Sequence, residues 1–413
     1  MLETKNSFFM KGLFGLQRNQ LKLVFFFIPT VISTLAIFQG DTTLAPPIIE
    51  ATLSILNWVC FLMLLFTSKM KKVYTPAIIV VAFLYFFIKN FHVASGLGLS
   101  FSGILMLLLM IVMSFFDYKE MITLVQWFRR YMVIMSVVGI IISLDFLIGF
   151  GLPHELVEYY GMNGNAYYEN YHFSYLFVQD DGIRLCGLFN EPGYMGTISA
   201  LLLILERFNF KKIGNVFILI AGGFTLSLAF FILLFAGLVI KSFTSRRTRH
   251  SLIATVIVAI IGVAFFDKEH IVSDYIKEQT TFDKQSNTIG GHSREDSSFL
   301  KVKKEFDMNG PKLFGYGTGY CHQHGVHKTA SLRMNFVEWG YLGTFIIYGL
   351  LLLGGYTTAK KDKNALLFLM CFALSILQRP NVFSVVYFLI LFGGIYYIRY
   401  YDRKDNQYVF KSR

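Results

Sequence analysis

Charged residues are scarce in this chain of 413 residues: only 15% are Asp, Glu, Lys or Arg, while 54% are hydrophobic and 17% are aromatic. In soluble globular domains about a quarter of the residues are charged. So little charge excludes a soluble domain, and the mean hydropathy of +0.53 agrees with this conclusion. The composition therefore predicts a polytopic membrane protein.

The chain also lacks internal repeats and low-complexity tracts, so we interpret residues 1–413 as one integral membrane domain. Only four cysteines are present. Cys60 and Cys371 fall inside apolar runs, where they are expected as small buried residues. Cys186 and Cys321 fall in two polar loops, in a compartment where a disulfide can persist. The sequence leaves open whether these two thiols are bonded or free.

The main feature of the sequence is a series of apolar runs that are long enough to span a membrane. A helix needs roughly 20 apolar residues to cross a bilayer. The run 213–241 has no charge before Lys241 and is too long for one helix, so we predict a turn between Leu226 and Leu228. The predicted fold is an all-α bundle of about twelve transmembrane helices, with long extracytoplasmic loops at residues 151–193 and 267–335. The candidate spans are 21–39, 49–67, 73–91, 100–116, 129–150, 194–207, 213–226, 228–241, 251–266, 336–356, 365–377 and 383–399.

The basic residues predict the orientation of the chain, because cytoplasmic loops of membrane proteins are rich in Lys and Arg. With twelve spans and a cytoplasmic N-terminus, both termini are cytoplasmic. This topology, with attraction to anionic lipid head groups, accounts for the net charge of +12, so we expect no nucleic-acid partner. Most of the 38 basic residues then lie on the cytoplasmic side, in clusters that include 69–72, 129–130, 211–212, 246–249, 360–363 and the tail from 399.

The first long loop ends in Arg184-Leu-Cys-Gly-Leu-Phe-Asn-Glu-Pro-Gly, which leads directly into an apolar run. Pro192 and Gly193 are typical of a turn followed by a helix start, and they place the Glu191 carboxylate at a helix N-terminus. Two roles are open for Glu191: a helix cap, or a chemical role near the outer surface. Arg184 is either a functional cation or the partner of an aspartate in the same loop.

The same loop is rich in tyrosine, and two interpretations of these rings are open. Tyr and Trp side chains gather at membrane interfaces because they are part apolar and part polar, and we expect most of these rings to lie there. Sugar-binding clefts use the same rings to stack on pyranoses. The residues concerned are Tyr159, Tyr160, Tyr167, Tyr168, Tyr171 and Tyr175.

The second long loop contains a predicted amphipathic helix, which starts at Ser293 and ends near Asn309. Its apolar stripe is formed by Phe299, Val302 and Phe306. Arg294 falls in the first turn, where the helix dipole disfavours a cation. We interpret this misfit as a sign of an anionic ligand such as phosphate, with a solvated surface arginine as the alternative.

Histidines follow this helix in the segment Cys321-His-Gln-His-Gly-Val-His. Their spacings of two and three residues do not match a helical pair of zinc ligands, so we expect neither a metal ion nor another cofactor. A histidine just outside a membrane suits a general base, because its pKa lies near ambient pH. His327 is the candidate, and an interfacial hydrogen-bonding role is the alternative.

Together these motifs resemble the superfamily of O-antigen ligases and Wzy O-antigen polymerases, which are bacterial membrane glycosyltransferases. The resemblance covers about residues 180–350 and rests on the order of its elements. These elements are R-x-x-G-x-F-x-x-P from Arg184 to Pro192, Thr225-Leu-Ser227 inside a span, an arginine-led helix at Arg294, a G-x-G turn at Gly315, a histidine at His327, and E-x-G-x-x-G from Glu338 to Gly343.

The resemblance implies a GT-C-like glycosyltransferase fold and transfer of a glycan from polyprenyl pyrophosphate to an acceptor sugar hydroxyl. The reaction would take place on the outer face of the bacterial cytoplasmic membrane. His327 is followed by Lys328, where ligases often carry asparagine. We therefore expect a polymerase of O-antigen or capsule repeat units, with a ligase or a lipid-linked oligosaccharide flippase as alternatives. The implied partners are the lipid-linked oligosaccharide, membrane lipids, a separate flippase and a chain-length regulator.

The expected chemistry assigns a role to six residues. Pyrophosphate leaves with growing negative charge, so cations beside it should lower the barrier most. The acceptor hydroxyl needs a proton acceptor, for which His327 is the first candidate and Glu191 the second. Four arginines are candidates for binding the pyrophosphate, in this order: Arg184, Arg294, Arg333 and Arg379.

Overall fold

Helices account for most of the protein in the computed structural model. Two predicted site residues, Arg294 and His327, lie outside the part of the chain that the structure describes. The described residues are 18–35, 47–68, 72–92, 96–97, 101–158, 166–179, 182–244, 282–283, 288–289, 297–326, 332–380 and 382–411.

The first half of these residues contains five helices and a small antiparallel sheet. The helices are α1 (Arg18–Ile32), α2 (Pro47–Thr67), α3 (Pro76–Asn90), α4 (Phe101–Met113) and α5 (Tyr118–Ile148). The short strands β1 (Phe91–His92) and β2 (Gly96–Leu97) pair with each other between α3 and α4. The four-stranded sheet follows α5 and consists of β3 (Glu155–Glu158), β4 (Ala166–Asn170), β5 (Tyr175–Gln179) and β6 (Gly182–Gly187).

The second half is almost entirely helical. Its helices are α6 (Pro192–Leu205), α7 (Ile213–Phe224), α8 (Leu228–Thr244), α9 (Ser297–Asn309), α10 (Tyr320–Gln323), α11 (Leu332–Ala359), α12 (Lys363–Gln378), α13 (Val385–Phe388) and α14 (Gly394–Lys411). A π-helical turn, Leu389–Gly393, joins α13 to α14. The two-residue strands β7 (Phe282–Asp283) and β8 (Thr288–Ile289) pair in the second long loop.

Among the described helices, three are long and apolar enough to cross a membrane: Ile48–Thr67, Tyr118–Ile148 and Leu332–Ala359. Seven further apolar helices are shorter, with 10–17 residues. Large apolar side chains on these elements face outward, for example Phe66 at 75% exposure and Phe345 at 66%. Such surfaces are unfavourable in water, so the helices indicate a membrane-embedded protein. The total of twelve spans stays a prediction, since the candidate at 251–266 lies outside the described residues.

Local sequence signals explain the boundaries of the longest helix, α5. Asp117 accepts a hydrogen bond from the backbone N–H of Glu120 at 2.8 Å, and the Glu120 carboxylate accepts one from the backbone N–H of Asp117 at 2.9 Å. This capping box satisfies N–H groups that a helix start otherwise leaves unpaired. The helix stops at Gly149, which adopts the left-handed conformation (φ 75°) typical of a C-terminal glycine.

The turn predicted between Leu226 and Leu228 is confirmed. Helix α7 ends at Phe224, Leu226 has a positive φ of 45°, and α8 begins at Leu228. Neighbouring contacts show the reversal of direction: Gly196 on α6 lies against Ser227, and Gly237 on α8 lies against the side chain of Ile204. Helix α8 therefore runs parallel to α6, and α7 runs antiparallel to both.

The all-α prediction is wrong for the first long loop, which folds as an antiparallel meander in the order β3-β4-β5-β6. Side chains alternate between the two faces of a strand. Leu176 and Leu185 point to the helical core, where Leu185 contacts Gly139 of α5. Tyr168 and Phe177 point to the opposite face and form a second apolar cluster. The sheet thus covers the end of the helical bundle.

The amphipathic helix predicted in the second long loop is present as α9, which ends at Asn309 as predicted. Its stripe is buried: Phe299, Val302 and Phe306 are 0%, 6% and 1% exposed and pack with Cys321 and Val337. The described helix begins at Ser297, so the predicted start at Ser293 lies outside the described residues.

Candidate functional site

The loop tyrosines that the structure describes are mostly core residues. Tyr168, Tyr171 and Tyr175 are 3%, 6% and 5% exposed, so these three rings pack inside the protein, and their position at the membrane interface stays a prediction. The Tyr168 hydroxyl donates to the carbonyl of Asn190 at 2.7 Å, which ties β4 to the turn before α6. The Tyr171 hydroxyl lies 3.1 Å from Asp145 Oδ2 and 3.2 Å from Glu169 Oε2. These rings hold the sheet in place on the helices.

Arg184 reaches from the sheet to the break between α7 and α8. It lies on β6 opposite Phe177, and its Nε donates to the backbone carbonyl of Thr225 at 3.2 Å. Thr225 is fully buried, and its hydroxyl donates to the Gly222 carbonyl at 2.6 Å. The Thr225-Leu-Ser227 element therefore supplies backbone groups that position Arg184. The aspartates considered as partners, at 180 and 181, lie outside the described residues.

Glu191 occupies the N-cap position of α6, but its side chain makes no capping hydrogen bond. The carboxylate instead forms an ion pair with Arg379, the residue that ends α12. The Glu191 side chain is 40% exposed and the Arg379 side chain 23%, so the pair is partly open to solvent. Gly193 makes this approach possible, because a Cβ there would lie 1.8 Å from the guanidinium of Arg379.

The Cys186 thiol shows that three charges of this region are close together. Burial raises the pKa of Cys186 far above its usual range; Arg184 and Arg379 lower it, and Glu191 raises it further. All three side chains are therefore within electrostatic range of one buried sulfur atom. Cys186 and Cys321 are both buried, free thiols in separate apolar clusters, so no disulfide joins the two loops.

Two tyrosines and a serine form the protein wall beside the Glu191–Arg379 pair. The Tyr194 hydroxyl lies 3.4 Å from Ser384 Oγ, and the Tyr194 ring packs edge-on against Tyr387 at 5.4 Å between centroids. Tyr387 is fully buried, within electrostatic range of both Glu191 and Arg379. Among the residues that the structure describes, its hydroxyl has no hydrogen-bond partner, although buried polar atoms are nearly always paired in native proteins.

Helix α11 joins this region through the segment that follows Arg379. The Asn335 amide donates to the Tyr348 hydroxyl at 2.7 Å, and that hydroxyl donates to the Pro380 carbonyl at 2.7 Å. Arg333 lies in the first turn of α11, two residues before Asn335. Arg333 is therefore on an element bonded directly to the residue after Arg379.

The glycine motifs of the second loop interlock with each other. Gly340 interrupts α11 with a φ of 68°, and a Cβ there would lie 2.2 Å from the Leu313 carbonyl oxygen. A Cβ on Gly315 would lie 2.4 Å from the Glu338 carbonyl oxygen and the Gly340 nitrogen. Only glycine fits at such close approach with positive φ. The G-x-G turn and the E-x-G-x-x-G element thus form one backbone crossing, which has a structural role.

Glu338 stabilises the same crossing. Its Oε1 accepts hydrogen bonds from the backbone N–H groups of Gly319 at 3.1 Å and Cys321 at 3.3 Å, and it is 5% exposed. Burial raises the pKa of the Cys321 thiol to about 12, and the nearby Glu338 carboxylate raises it as well. Neither group faces the Glu191–Arg379 pair through a described contact.

The histidines described after the G-x-G turn are occupied in local contacts. His324 Nδ1 lies 2.9 Å from the Tyr320 carbonyl, and its ring packs on Tyr320 at 4.1 Å. Within the described residues, no group of three or more His, Cys, Asp or Glu side chains is arranged to hold a metal ion. His327 and Arg294 lie outside these residues.

The structure therefore brings together three of the six predicted site residues, Arg184, Glu191 and Arg379, and places Arg333 on a neighbouring element. Sequence reasoning missed Tyr387 and Ser384. They sit in the apolar run 383–399, where a tyrosine and a serine are not distinguished from ordinary interior residues. The only available signal was Ser384 as a helix N-cap, which it is.

Comparison with known proteins identified no relative of this chain. No family model matches the chain, and neither a curated protein nor a solved structure matches it.

Proposed function

We propose that this protein is a membrane glycosyltransferase that polymerises polysaccharide repeat units carried on polyprenyl pyrophosphate. The observation that supports the proposal most is the meeting of Arg184, Glu191 and Arg379 at one end of α6. Arg184 and Glu191 are neighbours in the sequence, on a strand and at the following helix start, whereas Arg379 ends a helix 188 residues after Glu191. Two guanidinium groups and one carboxylate at the end of apolar helices suit a substrate that is anionic and anchored in lipid.

The two arginines are proposed to bind the pyrophosphate. Guanidinium groups match phosphate oxygens in a two-pronged geometry, and they remain charged at all physiological pH values. As the sugar is transferred, charge develops on the departing pyrophosphate, and positioned cations stabilise that charge. Arg333, on the element joined to Pro380, and Arg294 of the second loop are proposed as further cations of the same site.

The acceptor sugar hydroxyl gives up a proton during transfer. His327 is proposed as the proton acceptor and Glu191 as the alternative, because both residue types accept protons near neutral pH when suitably placed. Pyrophosphate is already a good leaving group, so the proposed reaction requires neither a metal ion nor another cofactor.

The proposed location is the outer face of the bacterial cytoplasmic membrane, with both termini in the cytoplasm. The product would be O-antigen or capsular polysaccharide. A separate flippase would supply the lipid-linked repeat unit, and a chain-length regulator would be a functional partner. A ligase that transfers finished glycan to another lipid is the alternative within the same chemistry.

The proposal is tested in cells that lack the chromosomal gene and carry variants on a plasmid. Arg184→Lys and Arg379→Lys keep the positive charge but lose the guanidinium geometry. Removal of one such group typically lowers catalysis about 10²- to 10³-fold. We therefore expect single repeat units in place of long chains on a glycan gel, at normal abundance of the protein in the membrane.

Arg130→Lys is the matched control, because Arg130 is exposed on α5 and lies outside the site. This variant should give long chains. Full-length polymer from both site variants would contradict the proposal, as would equal loss of polymer in the control.

A further inference from the structure

The Glu191 carboxylate forms an ion pair with Arg379 and does not cap helix α6. Glu191 stands at the start of a helix of 14 residues, where its carboxylate would be favoured next to the unpaired N–H groups, yet it makes no capping bond there. It turns to Arg379, whose guanidinium lies directly over Gly193, the second residue of the same helix. An anion on Arg379 therefore also lies close to the N-terminus of α6.

The hydroxyl of Tyr387 is a second observation that points to a ligand at this site. The side chain is fully buried, and within the described residues its oxygen has no hydrogen-bond partner, a condition that is uncommon in native proteins. Phe372 and Tyr194 hold the ring by edge-on packing, so the hydroxyl cannot turn to water without disturbing both. A partner that arrives with a substrate would satisfy it.

We propose that Glu191 is an internal stand-in for phosphate: in the empty protein it occupies Arg379, and a phosphate group of the substrate displaces it. In the loaded state Arg379 binds the phosphate, and the Tyr387 hydroxyl donates to a phosphate oxygen. This inference rests on the proposed function for the identity of the substrate. It adds an exchange of partners and a further binding residue, Tyr387, to the site.

The exposure of the pair makes the exchange feasible. A partly exposed ion pair such as this one gains less net stability than a desolvated pair, because water screens both charges. A phosphate group carries more charge and offers three acceptor oxygens, so it forms the stronger contact with a guanidinium. The displaced Glu191 carboxylate remains at a helix N-terminus, where its charge is favoured.

The exchange predicts that removal of the Glu191 charge strengthens binding of the anion. The test is titration of inorganic pyrophosphate into purified full-length protein in detergent, followed by calorimetry. Glu191→Gln should bind pyrophosphate about three- to fivefold more tightly than the wild type, the range expected when an exposed competing charge is removed. Tyr387→Phe keeps the ring and its packing, and should bind several-fold more weakly.

Glu155→Gln is the matched control, since Glu155 is an exposed acidic residue at the start of β3. It should leave the affinity unchanged, whereas equal tightening in this variant would indicate a general charge effect and overturn the proposal. Unchanged or weaker binding by Glu191→Gln would overturn it as well. Absence of binding by every variant would also contradict it, while the glycan gel would still decide the polymerase proposal. If Glu191→Gln binds pyrophosphate more tightly but the wild-type protein has no polymerase activity, the exchange of partners is supported and the polymerase function is rejected.

Discussion

At residue scale, the clearest departure from the sequence-based expectation is the direction of the Glu191 side chain. The helix start was predictable, because Pro192 and Gly193 mark it in the sequence. The contact with Arg379 was not, because it depends on how closely the end of α12 approaches the start of α6. The close approach of Arg379 requires a glycine at position 193, yet glycine is equally typical of an ordinary turn.

Gly193→Ala tests this contact directly. The new methyl group would overlap the guanidinium of Arg379, so the side chain must move while the backbone of α6 keeps its ordinary helical conformation. A displacement of about 1 Å at a reacting site can lower the rate about 10²-fold. We expect normal membrane abundance and a comparable loss of polymerisation, measured as chain length on glycan gels.

Gly223→Ala is the control, since a methyl group there meets open space on α7. It should behave like the wild type. Normal polymer from Gly193→Ala would show that the position of Arg379 is unimportant for activity.

At the scale of elements, the helical parts were more predictable than the sheet. The turn at 226–228 followed from charge and length, because the stretch between Lys212 and Lys241 carries no charge and exceeds one span. The sheet was missed although signals were present: Tyr175-Leu-Phe-Val and Ile183-Arg-Leu-Cys are strand-like and are separated by Asp-Asp-Gly, which is typical of a hairpin. Tyrosine is common both at membrane interfaces and in strands, so the tyrosines alone did not indicate a sheet.

The stability of this sheet on α5 should depend on Tyr171. Its hydroxyl lies between the buried carboxyl groups of Asp145 and Glu169. Tyr171→Phe leaves those oxygens without this partner, at a cost of about 1–3 kcal/mol. We expect a lower melting temperature in detergent, measured by fluorescence-detected size-exclusion chromatography after heating. Tyr167→Phe, on β4, is the control and should melt like the wild type.

The pH dependence of this effect has a defined sign. Burial, followed by the nearby Glu169 carboxylate and the hydrogen bond to Asp145, raises the pKa of Tyr171 well above its usual range. A raised pKa means that the contribution is complete below about pH 10, the ordinary pKa of tyrosine, and is lost as the pH rises further. The difference between wild type and Tyr171→Phe should therefore be largest near neutral pH and shrink above about pH 10. A constant difference across that range would contradict this account.

At the scale of the whole molecule, charged groups gather at the two ends of α6. Glu206, just past its C-terminus, is bonded to Lys212 at 2.6 Å, Arg129 at 3.1 Å and the Tyr397 hydroxyl at 2.5 Å. The Glu191–Arg379 pair lies at the other end, about 21 Å away for a helix of 14 residues. The basic clusters in the sequence predicted that charged groups would lie at both ends of this helix. Such a distribution of charge depends on local composition, so it can be predicted without knowledge of tertiary contacts.

The predicted topology assigns the Glu206 end to the cytoplasm. Single cysteines introduced near residues 165 and 285 should react with a membrane-impermeant thiol reagent in whole cells, and those near 245 and 405 should not. The four native cysteines are buried, so they should give little background. Labelling near 245 from outside would invert the orientation of α8 and contradict the topology.

The central claim is that the protein itself forms glycosidic bonds between lipid-linked repeat units. The most direct measurement is incubation of purified protein in liposomes with polyprenyl-pyrophosphate-linked repeat units, followed by gel analysis of the glycans. The account predicts polymers of increasing length with release of polyprenyl pyrophosphate, and a rate about 10²-fold lower for Arg379→Lys. Movement of intact lipid-linked units across the bilayer without any growth in chain length would contradict it and indicate a transporter.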